Sequence, residues 1–162
     1  MKLLIKTIVT VALFTSLQLP TLTQPAEANT NKTCTIQNSV YKAIGNPDYQ
    51  LVFSPPPPNK LIDAVVVLNH TKRGKIQTFH MTTANGYGSS FLSDPKREGV
   101  SLNIVVFDRN LKRDSIWRNK VAPEYAFVAG LGARDYYDYS SSGDNRKFLL
   151  GEVMWRFDRC GQ

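Results

Sequence analysis

The sequence contains few of the residues that most often carry catalytic or metal chemistry, with two cysteines and two histidines among 162 residues. It has no CxxC, HxH or HExxH motif and no Asp-rich calcium loop, which are the usual metal-binding patterns. Ser89 and Ser90 follow Gly-Tyr-Gly and do not form the Gly-x-Ser-x-Gly elbow of α/β-hydrolases. We therefore expect neither a metal nor a cofactor and predict no catalytic residue.

Long apolar runs are also scarce, and the one that stands out is N-terminal. Lys2 and Lys6 precede an apolar stretch from Thr7 to Leu19, and Ala26 and Ala28 occupy the −3 and −1 positions of a signal-peptidase site. The stretch is too short to cross a bilayer as a helix. The pattern predicts a cleaved signal peptide, a secreted or periplasmic protein, and a mature chain without a transmembrane segment.

Removal of residues 1–28 leaves residues 29–162 as a single domain with one core. The whole chain has a formal charge of +7, spread over short basic clusters at expected turns and strand ends. Such dispersed charge is typical of solvated turns, and the alternative is a face that binds phosphate or another polyanion. Weak, non-specific polyanion binding is expected from charge alone.

The two cysteines, Cys34 and Cys160, lie near the start and the end of the predicted mature chain. In an oxidising compartment this arrangement predicts a disulfide that joins the first strand to the last. Asn31 and Asn69 begin N-glycosylation sequons, which matter only in a eukaryotic source.

The residues after the signal peptide predict an all-β protein. No window repeats apolar residues at helical spacing over three turns, whereas many windows alternate or contain β-branched runs. One short helix is allowed near Lys112–Asn119. The candidate strands are Thr35–Ile44, Tyr49–Ser54, Leu61–Thr71, Lys75–Ala84, Tyr87–Leu92, Val100–Asp108, Asp114–Arg118, Tyr125–Ala133 and Lys147–Asp158.

Short turns between these strands predict an antiparallel meander. Asn85-Gly86 suits a type I′ hairpin turn, and Arg73-Gly74 is a second hairpin candidate. Eight or nine such strands must hide their edges, so we expect either a closed barrel or a two-sheet sandwich.

Two features are candidates for ligand binding. Tyr136, Tyr137 and Tyr139 lie in a Ser- and Gly-rich stretch, Tyr136–Asn145, that predicts a mobile loop, and tyrosine offers a rigid amphipathic contact surface. Glu152 lies within the last predicted strand, where it would either face solvent beside Arg156 or line a barrel interior and orient a ligand.

The two histidines, His70 and His80, do not form a contacting pair in either expected hairpin register. A two-residue turn at Arg73-Gly74 pairs Val67 with His80 and places the histidines on opposite faces. A three-residue loop places them on one face, but about 13 Å apart along the strand. Each histidine could still act with a carboxylate from elsewhere.

Three classes of function fit these features. The first is a secreted or periplasmic β-barrel or β-sandwich that binds a small ligand or a protein partner, and we favour it. The second is a secreted hydrolase or nuclease that uses an isolated histidine or carboxylate. The third is a small outer-membrane barrel, which the doubly apolar runs at Val65–Leu68 and Ile104–Phe107 disfavour, since channel-type barrel strands alternate apolar and polar residues.

Overall fold

The computed structural model describes residues 34–84, 88–116, 121–142 and 150–161, with only the backbone described for residues 139–142. These residues form nine strands, one α-helix and a 3-10 turn at Ile36–Asn38. The strands are β1 Ser39–Ala43, β2 Asn46–Ser54, β3 Ala64–His70, β4 Gly74–Thr83, β5 Ser90–Ser93, β6 Ser101–Phe107, β7 Arg113–Asp114, β8 Tyr125–Val128 and β9 Met154–Cys160, and the helix is α1 Leu131–Ser142.

Eight of the strands close into an antiparallel barrel. The hydrogen-bonded order is β5-β4-β3-β2-β1-β9-β8-β6, and β5 also pairs with β6, which closes the circle. The two-residue strand β7 pairs with the end of β6 outside this circle. The all-β prediction is confirmed, and of its two alternatives the structure shows the barrel. Closure removes the sheet edges that a meander of this length would otherwise expose.

The barrel interior is filled by side chains. In β3, burial alternates strictly along the strand because successive side chains point to opposite faces of a sheet. Burying each large apolar side chain contributes about 1.5–3 kcal/mol. The largest fully buried side chains are Trp155, Tyr41, Tyr49, Phe53, Phe79, Leu51, Leu68, Met81, Leu92 and Val66.

The predicted disulfide between Cys34 and Cys160 is present, with the two Cα atoms 5.7 Å apart. Cys160 ends β9 opposite Ser39 at the start of β1, so the bridge lies where the first and last strands of the barrel meet. The prediction that these two cysteines pair is confirmed.

The chain after β8 differs from prediction. The strand expected over Tyr125–Ala133 ends at Val128, and Leu131–Ser142 is an α-helix rather than a mobile loop. Gly130 has a φ of +79°, a conformation that glycine tolerates and that turns the chain out of the sheet. Residues 143–145 of the predicted loop lie outside the described residues.

Gly132, in the first turn of α1, is held against the backbone of Gly151. A Cβ atom at position 132 would lie 2.1 Å from the carbonyl carbon of Gly151. The position therefore requires glycine for close backbone approach, which explains in part why this glycine-rich stretch is not a continuous strand.

Two smaller predictions concern the end of the barrel that lies opposite α1. The short helix expected at Lys112–Asn119 is not seen in its described part, where Arg113–Asp114 forms β7. Asp108 instead holds a turn, because its Oδ1 accepts hydrogen bonds from the backbone N–H groups of Asn110 and Lys112. The Asn85-Gly86 turn lies outside the described residues, although β4 and β5 pair antiparallel on either side of it.

Candidate functional site

Helix α1 covers one end of the barrel, where β3 ends, β4 begins and β5 ends, and a cavity of about 350 Å³ lies at this mouth. Its apolar wall consists of Leu68, Ile76 and Leu131. Its charged side chains are three carboxylates, Asp94, Asp135 and Asp138, and three cations, Lys75, Lys96 and Arg97. The interior of the barrel is packed, and this mouth cavity offers space for a ligand outside it.

A buried ion pair forms one side of the cavity. The guanidinium Nη2 of Arg134 donates to Asp94 Oδ2, and the two side chains are only 8% and 6% exposed. Asp94 Oδ2 also accepts a hydrogen bond from Gln77 Nε2 at 3.0 Å, and its Oδ1 accepts one from the backbone N–H of Lys96 at 2.9 Å. The carboxylate thus has partners on both oxygens.

The pKa of Asp94 reflects this environment. Burial alone would raise it, but the hydrogen bond from the Lys96 backbone, the positive charge of Arg134 and the hydrogen bonds from Arg134 and Gln77 together lower it. Asp94 is therefore charged at neutral pH and does not serve as a general acid there.

The outer carboxylates of the cavity also have partners. Asp138 Oδ1 accepts a hydrogen bond from Arg97 Nη1 at 2.7 Å, and Asp138 Oδ2 lies 3.6 Å from Arg134 Nε. Asp135 Oδ2 accepts a hydrogen bond from the backbone N–H of Leu150 at 3.0 Å, which ties α1 to the chain that leads into β9.

The face of α1 that meets the barrel is largely charged. Leu131, Arg134, Asp135 and Asp138 follow one another at helical spacing, and the first three are buried. The Arg134 guanidinium carbon lies 5.7 Å from the centre of the Phe79 ring, within cation–π range. Because the inward stripe holds a single apolar residue over its described part, Leu131–Asp138, a search for apolar periodicity could not find this helix.

The sequence analysis did not identify Asp94 and Arg134, although a periodic pattern in the sequence points to each of them. Asp94 follows Ser90 and Leu92 at the two-residue period of inward-facing positions in β5. Arg134 is found only if the charged residues after Gly130 are tested for helical spacing. The Pro95-Lys96-Arg97 stretch has the composition of an ordinary charged turn, so the sequence does not indicate that it lines the cavity.

The residues predicted as ligand-binding lie elsewhere among the described residues. Tyr136 and Tyr137 are 51% and 68% exposed on α1 and meet edge to face, with ring centres 5.5 Å apart. Tyr139 belongs to α1, and its side chain lies outside the described residues. The three tyrosines are thus on a helix, and neither Tyr136 nor Tyr137 lines the mouth cavity.

Glu152 is exposed and lies before β9 rather than within it, so its predicted strand position is wrong. Its Oε1 accepts a hydrogen bond from the backbone N–H of Ala133 at 3.2 Å, at the first turn of α1. A carboxylate at this position stabilises a helix, because it satisfies a free N–H group and opposes the positive end of the helix dipole. Arg156, its expected neighbour, lies 3.4 Å from Glu124 instead.

The histidines face opposite sides of the β3–β4 hairpin. The pairing of the two strands, however, differs from both predicted registers, the one with a two-residue turn and the one with a three-residue loop. The loop has three residues, His70 lies opposite Gly74, and His80 lies opposite Val65. Ile76 is an extra residue between the pairs formed by Lys75 and Gln77, and this bulge reverses the facing of the strand. His70 is buried with its ring against Tyr49, at a centre-to-centre distance of 4.8 Å.

Similarity to known proteins assigns no family to this chain. No known family model matches the chain, and neither a curated protein nor a solved structure matches it. Among the described residues no group of three or more His, Cys, Asp or Glu side chains could hold a metal ion. The same part of the chain contains no helix with the length and apolar character needed to span a membrane. The fold alone defines the class, a closed eight-stranded antiparallel barrel.

Proposed function

We propose that this protein is an exported binding protein and that its ligand occupies the mouth cavity rather than the barrel interior. The observation that carries the proposal is a cavity of about 350 Å³ with an apolar wall and convergent charged groups, above a core already filled by side chains. Ligand sites of small proteins have this composition, with apolar walls and a few placed polar groups.

Rigid support of the cavity favours binding. Its side chains come from β3, β4, the loop after β5, and α1, and buried hydrogen bonds from Arg134 and Gln77 hold Asp94 in place. A preformed site loses little conformational entropy when it binds, because its side chains are already ordered. The alternative of a hydrolase or nuclease draws no support from the histidines, which point to opposite faces of one hairpin.

Export follows from the proposed signal peptide, which lies outside the described residues, and the disulfide is compatible with an oxidising compartment. We expect N-terminal sequencing of the exported protein to begin at Asn29, because Ala26 and Ala28 form the cleavage signal. An intact Met1, or a start beyond Thr33, would contradict this processing.

The binding role can be tested without knowledge of the ligand. A library of small neutral, anionic and cationic compounds is added to the isotope-labelled protein, and amide shifts are followed by NMR. We expect shifts to cluster at the backbone amides of Gln77 and Lys96, which border the cavity. The substitution Gln77→Trp places a large side chain at an inward-facing position of the cavity wall and should abolish the shift at Lys96.

Thr83→Trp is the matched control. Thr83 lies six residues further along β4 on the same inward face and is half-buried like Gln77. Its side chain also hydrogen-bonds a side chain at β5, that of Ser90, but it does not line the cavity. It should leave the shifts unchanged. If no compound shifts the cavity amides, or if Gln77→Trp and Thr83→Trp behave alike, the cavity is not the binding site.

A further inference from the structure

We infer that the ligand of the mouth cavity is a small amphipathic anion, with a carboxylate or phosphate group and a short aliphatic part. This inference rests on the proposed function and adds the chemical class of the ligand. Three features carry it: rim cations without partners, lining carboxylates that are neutralised by Arg134 and Arg97, and an aliphatic wall.

Two of the cations that line the cavity have no carboxylate partner among the described residues. Each carboxylate of the lining accepts a hydrogen bond from within the protein, as described above for Asp94, Asp135 and Asp138. Neither Lys75 nor Lys96 has a carboxylate within ion-pair distance among the described residues, and both are exposed at the rim. A ligand that completes this arrangement brings negative charge to the rim.

The guanidinium of Arg134 gives the second feature. Its Nη1 atom is buried without a hydrogen-bond partner among the described residues, while Nη2 is bound to Asp94 and Nε lies 3.6 Å from Asp138 Oδ2. Arg134 does not itself line the cavity, but Asp94 and Asp138, the carboxylates with which it pairs, do. Together with Arg97, its positive charge offsets these two carboxylates, so they do not repel a bound anion as unpaired carboxylates would.

The third feature is the apolar wall formed by Leu68, Ile76 and Leu131. Ile76 is half-buried and gives this wall its accessible surface, since Leu68 and Leu131 are 1% and 2% exposed and belong to the core against which it packs. Aliphatic side chains favour a short alkyl group, which loses contact with water when it packs against them. The wall and the rim cations together select a molecule with one apolar and one anionic end.

Four probe molecules distinguish the contribution of the anionic group from that of the alkyl chain. Each is titrated into the protein, and its binding is measured by calorimetry and by amide shifts. Octanoate carries both features, octylammonium has the chain with the opposite charge, octan-1-ol has the chain without charge, and acetate has the charge without the chain. We expect octanoate to bind at the amides of Gln77 and Lys96, at least about tenfold more tightly than each of the other three. Comparable binding of octylammonium or octan-1-ol would overturn the anion assignment, and comparable binding of acetate would overturn the apolar part.

Charge-removing variants test the residues. Replacing both rim lysines, Lys75→Gln with Lys96→Gln, should weaken octanoate binding about tenfold, since two exposed charge contacts are lost. Lys60→Gln removes one exposed lysine from the β2–β3 connection at the other end of the barrel and should have no effect. Unchanged octanoate binding in the double variant would overturn the inference.

The library experiment keeps the two proposals distinguishable. If library compounds shift the cavity amides and Gln77→Trp blocks them, but octanoate does not bind, the anion inference fails and the binding function stands. If neither octanoate nor any library compound binds at the cavity, both proposals fail.

Discussion

Replacing Cys160 with serine is expected to lower the free energy of unfolding by about 2–5 kcal/mol, as removal of a native disulfide from a small secreted domain typically does. Cys34 and Cys160 are separated by 126 positions, so the bridge closes nearly the whole folded chain into one loop. In the chain-entropy account, a loop of this size contributes about 4–5 kcal/mol by restricting the unfolded state.

The location of the bridge adds a second reason for a large effect. It lies where β1 and β9 pair, at Ser39 opposite Cys160, and this pairing is one of those that close the barrel. Without the covalent link, the last strand is held only by hydrogen bonds and packing, so its end should open first. Amide exchange should therefore rise most in β9.

Denaturant unfolding of the wild-type protein and of Cys160→Ser measures the effect. The double variant Cys34→Ser with Cys160→Ser is the control, because it removes the bridge and leaves no free thiol. Both variants should lose the same stability, and thiol labelling of the denatured, unreduced wild-type protein should find no free cysteine. Equal stability of the double variant and the wild type would show that the bridge contributes nothing.

Replacing Arg134 with methionine is expected to destabilise the fold by about 3–5 kcal/mol, the cost of leaving one member of a buried ion pair without its partner. Methionine keeps much of the side-chain volume over Phe79 but removes the guanidinium that binds Asp94. The Asp94 carboxylate would then remain buried with Gln77 and the Lys96 backbone as hydrogen-bond partners and with the half-exposed Arg97 Nε 4.0 Å away.

The exposed member of the same cluster provides the control. Arg97→Met removes a guanidinium that also binds a carboxylate, that of Asp138, but its side chain is 54% exposed. Exposed pairs contribute about 0–1 kcal/mol, so this variant should stay close to the wild type. The double variant Asp94→Asn with Arg134→Met should recover part of the stability lost in Arg134→Met alone, because no buried charge is then unpaired. Equal effects of Arg134→Met and Arg97→Met would show that burial does not strengthen the inner pair.

The pH dependence of stability gives an independent measure of the same pair. The pKa of Asp94 is lower in the folded protein than in the unfolded chain, because its hydrogen bonds and Arg134 outweigh the effect of burial. Its contribution is therefore fully present above the ordinary aspartate pKa and is lost as the pH falls through the lowered folded value. In Asp94→Asn this acid-side loss should be reduced.

Much of the barrel could be read from local pattern. The alternation in β3 and the β-branched runs predicted most strands to within a few residues, because side chains in a sheet repeat every two residues. The exception is β9, which begins at Met154, seven residues after the predicted start at Lys147. The disulfide was also predictable, since Cys34 and Cys160 are the only cysteines and the predicted signal peptide indicates an oxidising compartment.

The candidate site could not be read in the same way. Asp94 and Arg134 are 40 positions apart, and only closure of the barrel with α1 over its mouth brings them into contact. The inward face of α1 is charged because it meets a charged loop after β5, so the apolar periodicity that reveals most helices is missing. The bulge at Ile76 likewise decides which histidine is buried, and no turn motif in the sequence predicts this bulge.

The sequence by itself determined the all-β class, most of the strands and the covalent link between their ends, because these depend on side-chain alternation and on residue type. Tertiary structure alone decided that the sheet closes as a barrel, that residues after Gly130 form a helix, and that opposite charges meet at its mouth. The physical reason is that closure, helix docking and ion pairing depend on contacts between distant parts of the chain, whose energies exceed the local preferences of each segment.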